Sequence, residues 1–285
     1  MAEIELAYYP GCTLKTTAEE FDLTSRQVCR ELGIKLIEIP DWNCCGASSA
    51  HEIDAYLAVG LGALNLVKAE KELGLDIVVP CAACFQRLKV AEKELLKGKY
   101  PEFPFEGKIK VYDLLRFLAQ PEYRRKLKQK VKKPLRGLRA VAYYGCLLTR
   151  PPEITDHPQP ENPMDMDQIL KTIGVECLPW SYKTDCCGAS LVVGRIDIVH
   201  QLVKKLYEKA QEVGAECVVT ACPLCHANLD LRQREINTKF HTNYYLPIFY
   251  FTELMALAMG IGQPEKWAKG HLVDPLPLLK AKNLL

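Results

Sequence analysis

The sequence contains no apolar run long enough to cross a bilayer. A spanning helix needs roughly 18 or more such residues, and the best candidate, 55–67, is shorter and interrupted by Asn65. The start, Met1-Ala-Glu-Ile-Glu, has neither the basic residues nor the apolar stretch of a secretory signal. The chain is therefore expected to be cytoplasmic and not membrane-spanning. Charge of one sign is scarce as well: 37 basic residues against 35 acidic leave +2, too little to favour a nucleic-acid partner. No Gly-x-Gly-x-x-Gly follows a strand-like segment, so neither flavin nor nicotinamide is expected on this chain. Electrons for any redox chemistry then have to come from another protein.

Cysteine is present in excess, with 13 in 285 residues. The number is odd, and a reducing compartment keeps ordinary structural pairs open, so a disulfide framework is excluded and ligation of metal or cluster leads. The rest of the composition, 48% hydrophobic and 25% charged, is that of a globular chain long enough for two domains.

The cysteines recur in the same order in both halves. Tyr8-Tyr9-Pro10-Gly11-Cys12 answers to Tyr143-Tyr144-Gly145-Cys146. Asn43-Cys44-Cys45-Gly46-Ala47-Ser48 answers to Asp185-Cys186-Cys187-Gly188-Ala189-Ser190, and Val78-Val79-Pro80-Cys81-Ala-Ala-Cys84 to Val218-Val219-Thr220-Ala221-Cys222-Pro-Leu-Cys225. Three motifs in register identify an internal duplication. It divides the chain into an N-terminal domain 1–122, a basic linker 123–139 and a C-terminal domain 140–285.

Periodicity predicts strands at 4–9, 35–39 and 76–80, with helices at 17–32, capped by Thr16 or Thr17, at 49–73, closed by Gly74, and beyond Cys81. The second half repeats this with strands at 140–144, 176–179 and 217–220 and helices at 166–173 and 191–213. Alternating strands and helices indicate an α/β fold of two repeats related by a pseudo-twofold axis, on mostly parallel sheets. Every cysteine motif follows a strand, so the cluster sites fall at the carboxyl ends of the strands, the crevice where such sheets bind ligands.

Each half offers five thiols. A structural zinc closes with four ligands, and so does a cubane cluster, whose corners a vicinal pair such as Cys44-Cys45 does not easily share. Five thiolates with a vicinal pair suggest a larger or more open iron–sulfur assembly. Gly46 and Gly188 suit a backbone that turns two consecutive side chains toward one site, since glycine takes positive φ freely.

The duplicated pattern Cys…Cys-Cys-Gly…Cys-x-x-Cys resembles the cysteine-rich CCG domain. The whole chain resembles the catalytic B subunit of heterodisulfide reductase, including the stretches 143–152, 182–188, 246–254 and 273–279. The resemblance implies two non-cubane [4Fe–4S] clusters, one held by Cys12, Cys44, Cys45, Cys81 and Cys84 and the other by Cys146, Cys186, Cys187, Cys222 and Cys225. It implies an oxidoreductase that moves electrons to cleave, or form, a sulfur–sulfur bond in a small disulfide or protein-bound sulfur substrate. Its partners would be a ferredoxin-like iron–sulfur subunit and a flavin subunit. Methanogen members follow the cysteine equivalent to Cys146 with a histidine; here Leu147 stands there and has no proton to give, which favours the bacterial and sulfur-metabolising branch. Two other readings stay open: an electron-relay or assembly module with one cluster and one zinc, the zinc in the first half, and a sulfur-oxidising version of the complex.

Cys12, Cys146, Leu147 and His226 are the candidates nearest the chemistry, with Leu147, the proline-rich loop 149–163, Gly11, Cys12 and Thr13 expected at the midline between the halves. His51 is a weaker candidate. Lys183 and Arg150 are placed to bring positive charge to the crevice mouth, and Trp42 and Trp180 to cover the sites. Cys29, Cys177 and Cys217, outside both motifs, read as small buried apolar residues. The segment 123–139, with nine cations and no acid, reads as a solvated helix end and linker, or else as a dock for an acidic partner.

Overall fold

A computed structural model describes residues 3–47 and 49–285. Met1, Ala2 and Ser48, used in the sequence patterns above, lie outside the described residues, as does the His51 side chain.

The first half carries β1 (Ile4–Tyr8), β2 (Ile34–Glu38), β3 (Ile77–Val79) and β4 (Val111–Asp113); the second carries β5 (Arg139–Tyr143), β6 (Glu176–Cys177), β7 (Cys217–Thr220) and β8 (Ile248–Tyr250). The sheets run β2-β1-β3-β4 and β6-β5-β7-β8, and every pairing is parallel, with Leu6 beside Leu36 and Val141 beside Val218. The fold is α/β in two similar repeats, as the alternation of elements led one to expect. β4 and β8, three residues each, are additions to the strands that periodicity marked. In both sheets the chain leaves the first strand toward one edge and the third toward the other. Their carboxyl ends therefore flank the topological switch point, and this is where the lone cysteine and the Cys-x-x-Cys of each half emerge.

The helix after β1, Glu19–Glu31, starts without a side-chain cap, because Thr16 turns its hydroxyl back to Cys12 O instead. Glu19, Glu20 and Asp22 in its first turn complement the helix dipole. The predicted 49–73 helix is broken in two. Ala50–Ile53 ends at Asp54, whose carboxylate accepts from Leu57 N at 2.7 Å and so caps Ala55–Lys68; a π turn follows and Gly74 closes it in left-handed conformation at φ 63°. No helix among the described residues is long and apolar enough to cross a membrane.

The halves exchange contacts reciprocally. The helix after β8, Phe251–Ala258, lies on Glu19–Glu31 of the first half, and the helix after β4, Leu114–Leu118, lies on Asp165–Thr172 of the second. This is the arrangement of an isologous interface inside one chain. Phe21 stacks on Tyr250 with centroids 4.1 Å apart, and the Thr24 and Thr252 hydroxyls bond at 2.7 Å. The basic segment is packed rather than free. Tyr123, Leu127, Leu135 and Leu138 are buried, and the Lys132 and Lys133 amides donate to Ala258 O, leaving cations on the outer side.

Candidate cluster site

Glycine shapes each site. Gly11 and Gly145 take φ of 72° and 67°, and a Cβ on them would come within 2.8 Å of Cys84 Sγ and 2.9 Å of Cys225 Sγ. The chain bearing the lone cysteine thus runs directly against the last cysteine of its half. Gly46 and Gly188, at φ 70° and 77°, turn the vicinal pairs as the sequence led one to expect, and their amides point at Cys44 Sγ (3.5 Å) and Cys186 Sγ (3.2 Å).

All ten motif thiols gather. In the first half Cys44 Sγ is 3.9 Å from Cys12 Sγ, and Cys45 Sγ is 3.2 Å from Cys84 Sγ. In the second half Cys187 Sγ is 3.6 Å from Cys225 Sγ, and Cys146 and Cys186 are near enough to shift each other's ionisation. The two sets meet: Cys81 and Cys222, only 2% and 3% exposed, lie close enough across the boundary to perturb each other's ionisation. Cys12, Cys44 and Cys186 lie at the exposed rim. Crowded thiols share protons, so some are acidified at the expense of their neighbours. Hydrogen bonds from Cys44 and Cys84 bring Cys45 down to about 4, and the one from Cys146 brings Cys186 to about 6, whereas Cys44, Cys84, Cys146 and Cys225 are pushed up.

The donors come as neighbouring pairs. Among the described residues no three His, Cys, Asp or Glu side chains converge on a single ion-sized point. An all-thiol set of five per half, with an acidified thiol in each, matches the soft, anionic ligation that iron–sulfur clusters take.

Several placements differ from the sequence reading. Cys81 and Cys222 are the thiols that meet across the boundary, a role the sequence did not single out for them; Leu147 is half-buried against the core, next to Cys146. The proline-rich loop does reach the first half, where Lys93 Nζ donates to Glu153 O (2.7 Å) and pairs with Asp156 (2.5 Å). Lys183 is not at the mouth: it is buried, 2.8 Å from Asp167 Oδ1, and its carbonyl accepts from the Tyr144 and Gly145 amides. Arg150 is tied to Glu161 and to Thr184 Oγ1 (2.9 Å). His226 is buried, donates Nε2–H to Ile248 O at 2.9 Å and stacks on Tyr250; burial holds its pKa well below the ordinary value. Cys29 and Cys217 are buried and Cys177 sits beside Asp167; burial raises Cys29 and Cys177 to about 12.

Two residues carry a role the sequence reading did not assign. Tyr9 OH donates to Asn43 O and Tyr143 OH to Asp185 O, both at 2.7 Å, so each phenol pins the residue just before a vicinal pair. Trp42 and Trp180 pack edge-on against these rings at 5.4 Å and 6.2 Å. The signal was a matched Tyr-x-Gly-Cys. Aligning Tyr9 with Tyr143, without a gap, recovers it, whereas aligning the two Tyr-Tyr pairs hides it.

The cysteine-rich domain family matches residues 6–89 and 140–230. A relative from Wolinella succinogenes, named 8-methylmenaquinol:fumarate reductase membrane anchor subunit, is 31% identical over 96% of this chain and 99% of its own length. The B subunit of ferredoxin:CoB-CoM heterodisulfide reductase from Methanosarcina mazei is 25% identical over 96% of each chain. A solved structure of a hypothetical protein from Helicobacter pylori superposes with a TM-score of 0.75 at 12% identity, over 95% of this chain and 52% of that one, and so shares the fold. With both thiol sets inside the two matched segments, which together cover more than half of its length, the chain belongs to the cysteine-rich CCG domain family.

Proposed function

We propose that the ten motif cysteines hold two non-cubane [4Fe–4S] clusters, one per half. The chain would be the electron-transferring iron–sulfur subunit of a heterodisulfide reductase-like complex, which cleaves or forms a sulfur–sulfur bond. The observation that carries this reading is the buried Cys81–Cys222 contact, which makes two otherwise separate thiol sets continuous. Bound clusters would supply single-electron steps and soft iron for thiolate sulfur.

The chain's own residues prepare the sites. Tyr9 and Tyr143 fix the loops entering the vicinal pairs, and Gly11 and Gly145 let the lone cysteines approach. Tyr250, sandwiched between Phe21 and His226, keeps water from the inner side. His226 has its Nε2–H committed to Ile248 O and acts as a positioning residue. Leu147 offers no proton beside Cys146, so a proton for a departing thiolate enters from solvent at the exposed rim of Cys12, Cys44 and Cys186. A ferredoxin-like iron–sulfur subunit and a flavin subunit are the proposed partners.

A second reading, electron relay within a fumarate reductase-type complex, is favoured by the name of the Wolinella relative and by the missing proton donor at Leu147. Anaerobic protein with full iron, fed by a low-potential reduced dye and offered small disulfides and persulfides, separates the two. Sustained sulfur-substrate turnover supports the first reading. Clusters that the dye reduces without any such turnover support relay.

A further inference from the structure

The halves repeat their thiols but not the charges around them. Three residues past the last cysteine of each Cys-x-x-Cys, one helical turn on, the second half has Asn228, whose Nδ2 donates to Cys187 O at 2.6 Å. The same position in the first half, on the helix Ala82–Leu96 that carries Cys84, is Arg87. Its guanidinium is half-buried and donates to Gln86 Oε1 at 3.0 and 2.6 Å, with no carboxylate paired to it among the described residues. Burial lowers the pKa of this guanidinium; a cation partly stripped of water needs a compensating anion, and the first thiol set, one turn back along the same helix, is the one the repeat sets beside it.

The residue before each vicinal pair differs in the same sense. It is the neutral Asn43 in the first half and the half-buried Asp185 in the second, each held at its main-chain oxygen by the phenol of Tyr9 or Tyr143 at 2.7 Å. Other nearby charges are paired off: Lys183 by Asp167, Arg150 by Glu161, and Arg26 and Lys15 by Asp22 and Glu38. Arg87 and Asp185 together leave the first site more positive than the second by two charges.

We propose, resting on the two-cluster reading, that Arg87 and Asp185 hold the clusters at different potentials, so that the first half accepts an electron more readily than the second. A cation favours the more negative, reduced state and an anion disfavours it. An electron delivered to the second half by a one-electron iron–sulfur donor then moves to the first: one half loses one electron, the other gains one, and no bond or proton changes hands.

The test is an anaerobic redox titration of the holoprotein followed by paramagnetic resonance, with the first-half signal identified in Cys187→Ser, which retains it alone. The first-half signal is expected to be reduced at the higher potential. At a fixed poise Arg87→Gln should lower its reduced-to-oxidised ratio at least tenfold, about 59 mV for one electron, without moving the second signal; Arg87→Lys should keep most of the wild-type value. Asp185→Asn, independently, should raise the second signal and leave the first. The reverse order in wild type, or an Arg87→Gln shift shared equally by both signals or absent, overturns the proposal while the two-cluster reading stands. Zinc in place of iron in the first half overturns both.

Discussion

Replacing Gly145 with alanine would put a methyl carbon 2.9 Å from Cys225 Sγ on a backbone at φ 67°. The left-handed conformation alone costs about 1–2 kcal/mol for a residue with a Cβ. An ordinary contact needs about 3.5 Å, so the sulfur must retreat by roughly 0.6 Å, about three times the tolerance of ~0.2 Å on a metal–ligand distance. Gly137→Ala supplies the control, since Gly137 has φ 80° and a Cβ there would meet nothing within 4 Å. Both variants should lose similar stability, a few degrees in Tm for a chain of this size, with unchanged circular dichroism. Only Gly145→Ala should lose about four of the chain's iron atoms, and with them the second-half visible and paramagnetic signals. Full iron and an unshifted spectrum in Gly145→Ala, or equal iron loss in Gly137→Ala, would refute the argument that this glycine exists to admit the ligand sulfur.

Cys187→Ser should abolish the second-half signals and spare the first, because each half supplies its own ligands; survival of both contradicts the assignment. Tyr143→Phe removes the 2.7 Å bond to Asp185 O, worth about 1 kcal/mol, and should speed iron release from the second half to a chelator several-fold, while an unchanged rate would mean the phenol does not pin that loop. Burial, with Glu253 next, lifts Glu20 to about 7; burial opposes but Glu253, 2.9 Å away, outweighs it to lift His271 to about 9. Both groups hold protons more tightly folded than unfolded, so their stabilisation is full at acid pH and is lost as pH rises through 7 and then 9. Wild-type Tm should fall between pH 5 and 9, and Glu20→Gln should flatten the portion near 7, on the order of 2 kcal/mol; an identical slope in the variant would contradict the burial argument.

The α/β class and the gathering of ten thiols were legible because a duplicated motif placed after each strand leaves little freedom in a parallel sheet. What lay hidden depended on contacts the spacing does not encode. Asp167, on a separate helix, neutralises Lys183 and draws it inward, so a cation near a cluster motif in sequence is not one at its mouth. Either end of each Cys-x-x-Cys was free to face the other half, and the reciprocal packing of Phe251–Ala258 and Leu114–Leu118 chose Cys81 and Cys222. β4 and β8 owe their strand character to pairing with β3 and β7 rather than to local pattern.

Iron, zinc and acid-labile sulfide per chain, measured after anaerobic preparation, test the central claim most directly. About eight iron and eight sulfide without stoichiometric zinc are expected if both five-cysteine sets hold clusters. About four iron with one zinc would contradict that, and would leave the buried Cys81–Cys222 contact joining a cluster to a structural metal instead of to a second cluster.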